Sequence, residues 1–434
     1  MQALTLQSRE DHVVLKRLAI AVFICILVLH GTHIRSRSSA DAPTVDWVVL
    51  ARITACATGF GFALVLVREI LPLGFGARML LLYGLATVIS AIRCPYRASV
   101  LGYSMLLCGV SLLMIALVYT ARHRSRLQQI ESVWFATITV LVIKDTITSL
   151  LMSHTLAGEG AARLGMNVTH PNQLSLLAVI LFWLSFGNKR RQGAVALWGL
   201  RLFLIYVLLG AKTRISMVAF VIAGLCHTIL SARYPFRRVA VVGAVGGTLV
   251  TFVLLSLLSG QPWATDSLEY LTRGQDTAEL RSLTGRAEIW QRVLPRTLDT
   301  PISGHGYGVS RFAIGWLGDG DADTGWQADH CHNMVIEVFF STGLLGLVPF
   351  VLMVLYSLRW VVRFPRLCQV FSPRLAAHAA CTIVALLATS FSEAKLCVSM
   401  SPFQPLFFFY LVMLDRELCF TKPRRTGTEP VVDV

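Results

Sequence analysis

The sequence predicts an all-α integral membrane protein of about twelve transmembrane helices, with one large structured loop between the ninth and the tenth. Three observations predict it. Hydrophobic residues make up 55% of the 434 and charged residues only 15%, where a soluble domain carries about 45–50% and about 25%. The apolar residues come in blocks long enough to cross a hydrocarbon core, which takes roughly 17–25 residues of helix. The 39 Lys+Arg, against 24 Asp+Glu for a net charge of +15, sit in short clusters between those blocks. That pattern speaks for membrane topology rather than for nucleic acid. Soluble, disordered and collagen-like classes are excluded.

In chain order the blocks are 18–34, 47–67, 77–92, 99–120, 130–153, 171–187, 193–210, 213–231, 237–258, 332–357, 374–391 and 398–415. The first lacks the small-residue cleavage site of a signal peptide and is followed by further spans, so it reads as a retained helix. Residues 1–258 thus hold spans one to nine, 259–331 the loop, 332–415 spans ten to twelve, and 416–434 a polar tail expected to be disordered. With the N-terminus in the cytoplasm, 22 Lys/Arg fall in inner segments and eight in short outer loops. The positive-inside rule requires that asymmetry, and it puts both termini in the cytoplasm. The ten cysteines have no C-x-x-C spacing and lie mostly in apolar runs, so they read as free buried thiols. Cys331, in a polar stretch, stands apart.

The outer loop of 73 residues is too long for a mere connection and should carry structure of its own. Thr284 reads as an N-cap, after which Ile289, Trp290, Val293 and Leu294 share one helical face. Ser303-Gly304-His305-Gly306-Tyr307-Gly308 reads as a tight turn and the Gly-rich stretch 318–325 as loose loop. Asp319, Asp321 and Asp323 imitate the start of a calcium loop, but Thr324 replaces its glycine and His330 its final glutamate. No internal repeat is evident. The two matching halves usual in a secondary transporter or flippase, the reading from a different functional class, are missing.

Cations cluster on the outer side, where charge at membrane depth is costly and tends to be functional. Lys212 and Arg214 open span eight, Arg163 precedes the start of span six, and Arg286 falls in the first turn of the loop helix. Pro171 suits the first turn of span six. His330-Cys331-His332-Asn333 closes the loop. Each has a plain structural alternative: Lys212 and Arg214 as snorkelling side chains, Arg286 as a solvated helix residue, His332 as an interfacial histidine. Asp329, His330 and His332 also form a weakly specific metal-ligand pattern. Lys144 and Asp145 are adjacent in span five and so should not face each other on a helix. No role is assigned to Arg52, Arg201 or Lys395.

Taken together, the outer cations ask for an anionic ligand. A guanidinium matches phosphate oxygens with a planar fork of donors and keeps its charge. One Arg–phosphate pair near a partly desolvated surface is worth about 4 kcal/mol in Coulomb terms before desolvation. Two or three such pairs would anchor a diphosphate and stabilise it as a leaving group. A histidine beside them, titrating near neutral pH, suits proton removal from an incoming hydroxyl. The reaction class is group transfer from a lipid diphosphate.

His332-Asn333, nine residues, Gly343, two residues and Gly346 resemble the H-N-x9-G-x-x-G signature of the bacterial O-antigen ligases. Thr284-Gly285-Arg286 before Trp290, the Gly304-x-Gly306-x-Gly308 turn, Lys212-Thr213-Arg214, and Arg163 with Pro171-Asn172 are similar to the same ligase/polymerase superfamily. The resemblance covers most of 160–350; the first 150 residues contribute hydropathy alone. It implies a GT-C-like glycosyltransferase of the inner membrane with a periplasmic site. Its donor would be O-antigen polysaccharide on undecaprenyl diphosphate and its acceptor lipid A–core, with membrane lipids around it and neither nucleotide nor metal as cofactor. On this sequence, His332 would be the general base, with Arg214 and Arg286 on the donor diphosphate. Lys212, Arg163, Asn333 and His330 would contribute to substrate binding, and Gly343 and Gly346 to close helix packing. The O-antigen polymerases would use the same residues on a different acceptor.

Overall fold

A computed structural model of the chain describes residues 20, 47–65, 72–121, 124–155, 164–165, 170–187, 193–231, 286–310, 330–363, 373–394, 396–397 and 401–420. Among the described residues all regular structure is helical. The helices are α1 (Trp47–Val65), α2 (Phe75–Ile89), α3 (Arg97–Tyr119), α4 (Arg124–Thr155), α5 (Pro171–Leu184), α6 (Ala194–Gly210), α7 (Arg214–Ser231), α8 (Arg286–Thr297), α9 (Met334–Val362), α10 (Pro373–Glu393) and α11 (Phe403–Phe420). A 3-10 turn, Ser185–Gly187, extends α5. Ten of the twelve predicted spans therefore coincide with a helix; 18–34 (but for Ile20) and 237–258 lie outside the described residues, as does the tail from 421. Four segments, Arg97–Tyr119, Ser125–Met152, Met334–Val362 and Arg374–Phe391, are long and apolar enough to cross a membrane by themselves.

The helices are apolar on outward as well as inward faces. On α6, Val195, Trp198, Leu202, Tyr206 and Leu209 form an exposed stripe, and on α9 Leu344, Leu345, Val348, Leu352 and Leu355 do the same. Such faces suit hydrocarbon rather than water. Hydroxyls along the helices bond back to the preceding turn, as Ser111 does to Leu107 O and Thr146 to Val142 O, both at 2.7 Å. Their polarity is thereby satisfied within the helix.

Two groups of helices make the bundle. Helix α3 lies against α1, α2 and α11, and α9 against α2; α5, α6 and α7 pack together, with α10 laid along α7 and reaching α9 and α11. Helix α11 is buried on every side from Phe403 to Arg416, the mark of a central helix. Glu131 of α4 draws α10 and α11 together, taking hydrogen bonds with His378 at 3.1 Å and from Tyr410 at 3.0 Å.

One expectation changes, and one unassigned residue gains a role. Lys144 Nζ lies 2.9 Å from Asp145 Oδ1; helical geometry separates the two Cβ positions, but the long lysine stem curls back across the gap. Arg201, without an assigned role in the sequence, bonds Ser185 Oγ at 2.9 Å and stacks 3.9 Å above the Phe186 ring. It thus fastens the end of α5 to α6.

Hydrogen bonds between described helix termini tie the bundle at two ends. At one end Leu164 N donates to Gly210 O at 3.1 Å, Tyr307 N to Ser90 Oγ at 3.0 Å, and Gln404 Nε2 to the Tyr307 hydroxyl at 2.9 Å. The opposite end is held by Asp415, which accepts from Ala77 N and the Tyr356 hydroxyl, each at 2.9 Å. Helix α8 and the histidines stand at the first end.

Candidate functional site

Glu393, the last residue of α10, is buried and organises the site. Its Oε1 accepts from Arg286 Nη2 at 2.7 Å, and its Oε2 lies 3.9 Å from His332 Nδ1. One carboxylate thus joins two residues that the sequence singled out, from elements 107 and 61 positions away. A buried carboxylate needs such a partner, since leaving it unpaired costs several kcal/mol, on the order of 3–5. Glu393 itself went unnoticed in the sequence. The only sign was an acid at the end of an apolar span on the cation-rich side.

The histidines are set by a rigid segment. Trp290 Nε1 donates to Cys331 O at 2.8 Å, and Cys331 N donates to Glu337 Oε2 at 2.8 Å. With both backbone groups of Cys331 tied, the flanking rings of His330 and His332 face each other at 4.1 Å between centroids. His332 N donates to His330 Nδ1 at 3.1 Å. Asn333 caps α9: its Oδ1 accepts from Val335 N at 2.9 Å and Ile336 N at 3.2 Å, while its Nδ2 donates to Phe391 O at 3.0 Å. Through these three bonds Asn333 fixes His332 against the end of α10.

Glu337, buried one turn into α9, also accepts from the hydroxyls of Ser310 and Ser341. Its charge is satisfied by three donors close to a helix N-terminus. Replacing it by alanine strands those donors, and Glu337→Ala is expected to destabilise the protein by about 3 kcal/mol. A thermal-unfolding midpoint in detergent unchanged from wild type would contradict this.

The glycine turn packs against the same helix. His305 N and Gly306 N donate to Phe340 O and Ser341 O at 2.8 and 2.9 Å, while Leu344 N and Leu345 N donate back to Pro301 O and Ile302 O at 2.8 and 3.1 Å. This exchange breaks α9 at Gly343, whose φ of +62° and ψ of −161° are non-helical. A Cβ there would stand 2.3 Å from Ile302 O. Gly343 therefore receives the loop backbone, rather than serving only for close packing between helices. In α8, Ile289 and Val293 are buried and Trp290 half-buried, but Leu294 is 45% exposed. The helix buries a narrower stripe than its four apolar residues suggested.

Arg214 stands at the N-terminus of α7. Thr213 Oγ1 donates to Ser175 Oγ at 2.6 Å, and Ser175 and Ser216 share a hydrogen bond of 2.7 Å, so the first turn is pinned to α5. The register with α10 follows from Cys226 and Cys381, whose thiols hydrogen-bond. Twelve residues separate Cys226 from Arg214 and Cys381 from Glu393, about 18 Å of helix in each case. Because the two helices run in opposite directions, Arg214 arrives at the level of Glu393. Lys212, in the turn just before, shares that end. Arg163, the Thr284-Gly285 start of the loop helix, Asp329, the stretch 318–325 and the Arg52 side chain lie outside the described residues.

Backbone strain marks the same place. Among the described residues, the non-glycine positions with positive φ are Lys212 (+48°), His332 (+50°) and Ala394 (+47°). Each costs roughly 1–2 kcal/mol, and each is a proposed site residue or the neighbour of Glu393. Strained residues of this kind tend to collect at functional sites.

Cys331 is fully buried. Burial, with the Glu337 carboxylate beside it, holds its thiol well above the usual range, so little thiolate forms at neutral pH. N-ethylmaleimide is expected to leave Cys331 unmodified in the folded protein and to label it after denaturation. Peptide mass spectrometry distinguishes the two, and labelling of the folded protein would contradict the burial. The other described cysteines, at 56, 94, 108, 226, 381 and 397, are also free thiols.

The site can therefore offer two guanidiniums to an oxyanion, an imidazole to a proton, and a buried carboxylate behind both. Residues 199–351 match the family model described as O-Antigen ligase. The matched stretch holds Lys212, Arg214, Arg286, His330, His332 and Asn333, and stops short of Glu393. No curated protein matches the chain.

Proposed function

We propose that this chain, whose family match supports membership of the O-antigen ligase/polymerase superfamily, is the ligase: an inverting glycosyltransferase completing lipopolysaccharide at the periplasmic face of the inner membrane. The donor is O-antigen polysaccharide on undecaprenyl diphosphate, and the acceptor is a sugar hydroxyl of lipid A–core. His332 takes the proton of that hydroxyl. Its oxygen forms a bond to the anomeric carbon from the side opposite the diphosphate, and the carbon–oxygen bond to the diphosphate breaks. The electron pair leaves with undecaprenyl diphosphate, whose charge is met by Arg214 and Arg286, with Lys212 and Arg163 adding to the field. Neither nucleotide nor metal enters this sequence of steps.

The observation that carries the reading is Glu393 between Arg286 and His332. As His332 gains its proton, the carboxylate 3.9 Å away stabilises the imidazolium. The four spans and the apolar outer faces of the helices support a membrane setting for two lipid substrates.

Complementation separates the two activities of the superfamily. A ligase-null strain given the wild-type gene should regain its lipopolysaccharide ladder, and His332→Ala and Arg214→Ala at matched membrane levels should not. Rescue of a polymerase-null strain alone would move the assignment to the polymerase, which lengthens a lipid-linked glycan with the same residues.

A further inference from the structure

We propose that His330, His332 and Glu393 form a binding site for a divalent transition-metal ion, zinc foremost, and that an ion there withdraws His332 from catalysis. The binding rests on geometry alone. Its effect on transfer rests on the function proposed above.

The three residues each offer one donor atom, and these atoms lie within 4.8 Å of one another. A tetrahedral zinc site, with bonds of about 2.0–2.2 Å, spaces its donors at roughly 3.3 Å. The widest pair must therefore close by about 1.5 Å, within reach of small side-chain rotations. Two imidazoles and one carboxylate, leaving a fourth position open, are a ligand set that zinc accepts. Nitrogen donors of this kind disfavour magnesium and calcium.

Three features show that the cluster is built rather than accidental. The positive φ of His332 turns its ring back over His330, at 4.1 Å between centroids. Cys331 between them is clamped by Trp290 and Glu337. Glu393 is held from behind by Arg286 at 2.7 Å through Oε1, which leaves Oε2 directed towards His332; outer partners of this kind orient metal ligands. His330 Nδ1 accepts the His332 N–H, so His330 meets an ion through Nε2 or gives up that bond. An ion so placed occupies a lone pair that His332 needs for the acceptor proton, and it draws the Glu393 charge away from Arg286.

The test uses the purified full-length protein in detergent, with its affinity tag removed. Zinc binding is measured by calorimetry, and cobalt(II) serves as an optical probe whose visible spectrum reports nitrogen ligation. One saturable equivalent is expected. His330→Asn, His330→Gln, His332→Asn and Glu393→Gln should each weaken it at least tenfold. His305→Asn, at the same end but outside the cluster, should not, and magnesium should not compete. Unfolding midpoints near wild type identify the variants that have kept their fold. Absence of saturable binding, or binding indifferent to all four substitutions, would overturn the site. Zinc should also suppress transfer of glycan to lipid A–core, and a chelator should restore it. If zinc binds at these residues and transfer continues unchanged, the site stands and His332 is not the base.

Discussion

Replacing His332 by alanine is expected to lower glycan transfer about 1,000-fold while leaving the protein folded in the membrane. General-base catalysis by one positioned side chain contributes roughly 10²–10⁴ in rate, and His332 Nδ1 lies 3.9 Å from the Glu393 carboxylate. The ring is 22% exposed, so its removal leaves no large cavity and the unfolding midpoint should move little. His330 provides the sharper contrast. It holds the backbone of His332 through one hydrogen bond of 3.1 Å, and His330→Ala should cost about tenfold or less. Initial rates with saturating donor and acceptor would compare the two. Equal losses would mean that the pair acts as one unit, and a larger loss at His330 would exchange their roles.

The second large effect is expected at Arg286. Its guanidinium donates to Glu393, and its position at the first turn of α8 adds the unpaired backbone N–H groups of a helix N-terminus. Removing one such stabiliser of a developing oxyanion costs about 100–1,000-fold in rate. Arg286→Ala should fall in that range, with an added loss of stability because the buried Glu393 carboxylate loses its hydrogen bond of 2.7 Å from Arg286. Arg286→Lys keeps the charge but not the fork that engages carboxylate and phosphate together. It should therefore recover stability more fully than activity. If lysine restores both equally, the residue serves the fold alone.

Much of this architecture was legible in the sequence because hydrocarbon imposes a simple demand: a run of apolar residues of one length. The helices Arg97–Tyr119 and Met334–Val362 follow from that demand to within a few residues. The loop helix was also legible, since Ile289 and Val293 show their spacing in the chain, and the glycine turn shows itself in composition. What escaped depends on contacts between distant segments. Glu393 reads as one acid among polar neighbours, and only the folded bundle brings Arg286 and His332 to it. The break at Gly343 follows from the 301–306 backbone bonding into α9, an event that no local propensity encodes. Asn333 before an apolar helix was an available N-cap signal, and its side chain accepts from Val335 N and Ile336 N.

The shape of the site suits its proposed chemistry in a further respect. Arg214, Glu393 and His332 each sit at a helix terminus or beside one, and strained backbone at Lys212, Ala394 and His332 accompanies them. Helix ends held by tight, strained turns give a polar cluster at the edge of an apolar bundle. There the charged head of a lipid can be met while its chain remains among apolar faces.

One end of the bundle is proposed to move polysaccharide from a lipid diphosphate to lipid A–core. The most direct test mixes the purified chain with undecaprenyl-diphosphate-linked O-antigen and lipid A–core in detergent, without nucleotide, and resolves the products by mass and by anomeric configuration. The expected products are glycosylated core with the anomeric centre inverted and undecaprenyl diphosphate in equal amount, with neither product from His332→Ala. Retained configuration, or glycan lengthening only on the lipid carrier, would contradict the proposal.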